Sequence, residues 1–104
     1  MARASRRTER DLRAFGENVR GWRKVLGLTA EAVAERAGIT RTTLRSIETG
    51  EGSVRLENAF AVLRILGQAE SVILATDPHT SELGRLRATQ GLPQRVRSRG
   101  PATP

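Results

Sequence analysis

The chain has no cysteine, one histidine, no tyrosine, one tryptophan and two phenylalanines. The lack of cysteine excludes a disulfide framework, thiolate metal sites and a cysteine nucleophile. With His79 as the lone imidazole, a histidine-cluster metal centre is excluded, and any triad would depend on that one ring. No apolar run approaches the length of a membrane span. The N-terminus is basic but no apolar stretch follows it, so a secretory signal is not expected. The expectation is a cytoplasmic protein without metal, cofactor or membrane partner.

What the chain does have is positive charge. The net charge is +7 over 104 residues, and the sequence pI is about 11.6. One domain fits this length, with a modest core. The charge lies at the two ends: residues 1–10 carry +3 and residues 85–104 carry +5, whereas residues 11–84 sum to −1. A basic balance of this size suits a polyanion, most obviously nucleic acid. Charged ends are commonly solvated tails, however, so the case for binding has to come from the centre.

Residues 1–10 show no apolar period and read as a flexible basic arm. Leu12, Phe15, Val19, Trp22 and Val25 or Leu26 then recur at helical steps, predicting an amphipathic helix from Asp11 with Trp22 in the core. Gly16 and Gly21 weaken that helix and Gly27 stops it. Thr29 predicts an N-cap for Ala30 to Ala37, and Thr40 for a helix to about Glu48. Leu56 to Leu66 and Ala69 to Ala75 mark two more helices, and Asp77-Pro78 ends the second. Ser81 caps a last short turn through Arg87. Disorder, or order induced by a partner, is expected after Gly91-Leu92-Pro93. The fold class is all-α, with four to five helices and no strand alternation. The domains expected are an arm at 1–10, a helical domain at 11–76, and a basic, partly disordered extension at 77–104.

The informative segment is 29–50, TAEAVAERAGITRTTLRSIETG. Two short helices meet at a turn holding Gly38, where positive φ is needed and a Cβ is costly. Ala34 is small where the helices must approach. Val33, Ala37, Ile39, Leu44 and Ile47 form a shared apolar face. Arg41, Thr42, Thr43, Arg45, Ser46 and Thr49 are left pointing mostly outward.

With "VRGWRKVLGLT" before it and "LENAFAVLRILG" after it, this segment resembles the XRE family of lambda-repressor-like and Cro-like helix-turn-helix domains. The resemblance covers roughly residues 14–67. It implies a recognition helix at 41–48 that enters the major groove of double-stranded DNA. Arg41 is then the first choice for bidentate pairing with guanine. Thr42 would meet a thymine methyl or a phosphate, Ser46 a base or bridging water, and Arg45 the groove or the backbone. The DNA-binding set expected is Thr29, Ala30, Thr40, Arg41, Thr42, Thr43, Arg45, Ser46 and Thr49. Amides at Thr29 and Ala30 would meet a phosphate. At Ala30 the chain departs from the family, which usually has glutamine there, so clamping on that side should weaken or be redirected, while the amide contact needs no side chain. The resemblance also implies a partly buried ion pair between Arg23 and Glu48.

The function expected is a sequence-specific transcriptional regulator, a repressor acting as a homodimer and nucleoid-associated when bound. Val72, Ile73, Leu74, Leu83 and Leu86 either pair two subunits or close the core of one. "LENAFAVLRILGQAESVILATDP" with its arginine-rich end also looks like HipB-type antitoxins, which implies a kinase-like toxin partner and autoregulation. A protein-binding adaptor without DNA is a third reading. No catalytic set can be assembled. His79 stands near Asp77 and Ser81, but local adjacency does not make a triad, since such groups converge from separate elements.

Overall fold

The computed structural model describes residues 4–90. Among them are six α-helices, one 3₁₀ turn and no strand. The helices are α1 (Arg6–Val25), α2 (Ala30–Ala37), α3 (Arg41–Thr49), α4 (Leu56–Ile65), α5 (Ala69–Ala75) and α6 (Glu82–Thr89), with the 3₁₀ turn at Pro78–Thr80. The chain divides into two compact units, Met1–Glu70 and Ser71–Pro104. No single helix among the described residues is long and apolar enough to cross a membrane.

Local chemistry accounts for the helix limits. The side chains of Thr29 and Thr40 accept hydrogen bonds from the N–H groups of Ala32 and Thr43, both at 3.0 Å. Each caps a first turn whose amides have no partner within the helix. Gly38 ends α2 at φ 73°, a conformation open to glycine without a Cβ penalty. The turn between α2 and α3 is therefore as tight as the sequence predicts.

In the first unit α1 packs on α3 and α2 on α4, while α3 also touches α2 and α4. Val19, Val33, Ala34, Leu44, Ile47, Val62, Leu63 and Leu66 are buried. Leu44, Val33 and Val62 are fully so, each stabilising the unit by about 1.5–3 kcal/mol relative to exposure. Gly16 is the crossing point of α1 and α3. A Cβ there would lie 2.5 Å from the carbonyl oxygens of Ile47 and Glu48. The glycine that weakens α1 locally thus lets α3 come close.

Two expectations about α1 need correction. The helix begins at Arg6, not Asp11, because Ser5 caps it by accepting from the Thr8 N–H at 3.1 Å. Arginine and glutamate are good helix formers, so residues 6–10 are helical without an apolar face. Trp22 is not core: it is 41% exposed. The inward face of α1 runs through Gly16 and Val19 to Arg23, and Trp22 is one residue off it.

The second unit has no buried residue among those described. Asp77 caps the 3₁₀ turn and Ser81 caps α6, its side chain accepting from the Gly84 N–H at 2.8 Å. α6 runs to Thr89, two residues beyond the short turn expected. Ile73, Leu74, Leu83 and Leu86 are exposed. The disorder expected after Gly91 falls outside the described residues.

Candidate nucleic-acid interface

The site is built on α3. Its inner side is anchored by Leu44 and Ile47, and a helix with two buried residues three apart turns the opposite side outward. Arg41, Thr42, Arg45 and Thr49 are exposed, whereas Thr43 and Ser46 are half-buried. At the start of α2, Thr29 is exposed and Ala30 half-buried; Thr40, ahead of α3, is exposed.

A cleft runs beside α3. Arg41, Thr42, Arg45 and Thr49 line it together with Ala30 of α2 and Arg20 of α1. Thr43 and Ser46 do not. The charged residues lining it, four arginines and Glu48, sum to +3. Arg20 was not singled out from the sequence. The available signal was its spacing, since Arg6, Arg13 and Arg20 recur at seven-residue steps.

Arg23 and Glu48 form a two-point ion pair. Arg23 Nε donates to Glu48 Oε2 at 2.8 Å and Nη2 donates to Oε1 at 3.0 Å. Nη1 donates to the Leu28 carbonyl at 3.3 Å. The side chains are 13% and 10% exposed. Hydrogen bonding to the carboxylate raises the Arg23 pKa above its ordinary value, against a smaller opposing effect of burial. One guanidinium thereby ties α1, the end of α3 and the loop before α2 together. The fork geometry suits arginine and not lysine.

The hydroxyls differ in what they can offer. A phosphate oxygen only accepts, so a hydroxyl must have a free proton to meet it. The Thr40 and Thr43 hydroxyls lie 3.0 Å apart and share one hydrogen bond, so the pair keeps one proton to give outward. Thr49 Oγ1 donates to the Arg45 carbonyl at 2.9 Å, within its own helix. Thr49 is thus engaged within its own helix, whereas the Thr40–Thr43 pair retains a donor.

Among the described residues no group of three or more His, Asp or Glu side chains is arranged to hold a metal ion. His79 Nδ1 lies 3.3 Å from Asp77 Oδ1. Ser81 Oγ lies on the Gly84 N–H and the Pro78 carbonyl, so these three residues form a turn and a cap. The backbone N–H of His79 donates to Asp77 and holds its carboxyl below the ordinary carboxylate range.

A family model described as Helix-turn-helix matches residues 19–72, just over half of the chain. A protein of Methanothermobacter thermautotrophicus described as an uncharacterized HTH-type transcriptional regulator is 46% identical over 50 residues. That stretch covers 48% of this chain and 72% of that protein. No solved structure matches the chain.

Proposed function

The chain belongs to the XRE-type helix-turn-helix family of DNA-binding transcriptional regulators, and from that premise we propose that it is a repressor that reads operator DNA as a homodimer. The observation that carries this reading is the exposed outer side of α3 beside a cleft of net charge +3. Arg41, at the start of α3, pairs with a guanine in the major groove. Thr42 and Ser46 complete the base readout, and Arg45 lies along the groove wall. The first amides of α2, at Thr29 and Ala30, and the Thr43 hydroxyl meet phosphates. Thr40 acts through its cap and Thr49 through its shape. The Arg23–Glu48 pair sets the angle at which α3 is presented.

Two copies follow from size. One recognition helix buries too little surface for high specificity, and two half-sites about one helical turn apart remedy that. The exposed Leu83 and Leu86 of α6 supply an apolar face for the pairing. The limits 11–76 and 77–104 expected from the sequence shift with the helix start at Arg6 and the division after Glu70: the first unit is proposed as the DNA-binding domain and the second as an extension that serves assembly. Repression follows from occupancy of a promoter, in the cytoplasm and on the nucleoid.

The test is enrichment of random duplexes by the purified protein. A single motif with two related halves is the expected result. Arg41→Ala should relax one base position in each half, at about 1–3 kcal/mol. If no sequence is enriched and the protein retains no duplex, a protein-binding adaptor is the better reading.

A further inference from the structure

One arginine of the cleft has no part in the site proposed above. Arg20 lies on α1, is exposed, and lines the same cleft as Arg41 and Arg45. Its neighbour Arg23 is held by Glu48. Arg20 makes no ion pair among the described residues.

The stripe continues along α1. Arg6, Arg13 and Arg20 share one face at seven-residue steps, each about 10 Å further along the axis. The Arg13 backbone abuts the far end of α3: a Cβ on Gly50 would lie 2.7 Å from Arg13 Cα. α1 therefore passes α3 at its C-terminal end, with Gly16 against Ile47 and Glu48 and Arg13 against the Gly50 cap, and Arg20 lines the cleft on the outer side of α3. Neither arginine is on a flexible arm, so holding them in place adds little ordering cost on binding.

Distance decides what they touch. Packed helix axes lie about 8–10 Å apart. The major groove is about 12 Å wide, so its walls stand about 6 Å from a helix centred in it. Side chains carried by α1 therefore reach the wall, where the phosphates are, and not the base edges.

We propose that α1 carries a second set of duplex contacts, in which Arg20 and Arg13 bind backbone phosphates alongside the recognition helix. This rests on the DNA reading above, and the experiment separates the two. Binding of the full-length protein to fluorescent duplexes of random sequence is measured over a range of salt concentrations. Each phosphate contact contributes about 0.9 to the slope of log affinity against log salt. Arg20→Ala and Arg13→Ala should each flatten the slope by about one contact, with the enriched motif unchanged. Arg20→Lys keeps the charge and should keep the slope. Arg7→Ala, well off that face of α1, should change it least; circular dichroism confirms that each variant is folded. A parental slope in Arg20→Ala, or one no flatter than in Arg7→Ala, overturns the proposal while leaving the DNA reading intact. Failure of the parent to bind any duplex overturns both.

Discussion

The two units of this chain use the same local devices to opposite ends. In Met1–Glu70, threonine caps and glycine stops delimit helices whose apolar sides meet in a core of eight buried residues. In Ser71–Pro104, Asp77 and Ser81 cap just as well, yet no described residue is buried and Leu83 and Leu86 stand in the open. Capping and burial are thus separate achievements. A cap satisfies a few backbone groups and needs only its own turn. Burial needs a second surface, and the second unit supplies none among its described residues.

The sharpest test of this contrast is a pair of leucine truncations. Leu44→Ala removes a side chain 1% exposed in the first unit and should cost about 2–5 kcal/mol. Leu83→Ala, at a position 61% exposed, should stay within about 0.5 kcal/mol. Urea melts at concentrations where the chain is monomeric compare them, and equal losses would abolish the distinction. The reading of Leu83 and Leu86 as a pairing face adds a second outcome: Leu83→Asp should lower the molecular mass by light scattering.

Next in size is the ion pair, the main polar tie of the first unit. Arg23→Ala and Glu48→Ala should each cost about 3 kcal/mol, because each leaves a partner desolvated and unpaired. The double substitution should cost clearly less than the sum of the two. Singles that melt like the parent would mean that the pair is solvated and cannot set the angle of α3.

The smallest effect belongs to the second unit. The Asp77 pKa is depressed in the fold by the His79 N–H. Its contribution is complete above the unfolded value of about 3.9 and is lost as the pH falls through the lower folded value. The 3₁₀ turn should loosen in acid, which the His79 amide resonance reports. Asp77→Asn should remove the pH dependence of that signal. A resonance that does not respond to acid in the parent would show that the turn does not depend on the carboxylate.

Much of this architecture can be read from the letters, and the reason differs by feature. Thr29, Gly38 and Thr40 announce α2, its end and the start of α3 because caps and positive φ act within a few residues. The outer side of α3 is legible because Leu44 and Ile47 define its inner side. Trp22 misleads because its spacing suits an apolar stripe, while the place it would fill belongs to Arg23. The early start of α1 escapes notice because arginines carry helix propensity without any apolar signal.

The sequence by itself determined the limits of α2 and α3, the turn at Gly38 and the outward place of Arg41, Thr42, Arg45 and Thr49. All of these rest on contacts between neighbours along the chain. Tertiary structure alone decided that Gly16 is a crossing point, that Arg23 reaches Glu48, and that Arg20 shares a cleft with Arg41 and Arg45. Each of those depends on the approach of α1 to α3, and residues some twenty-five positions apart carry no local mark of the distance that packing will leave between them.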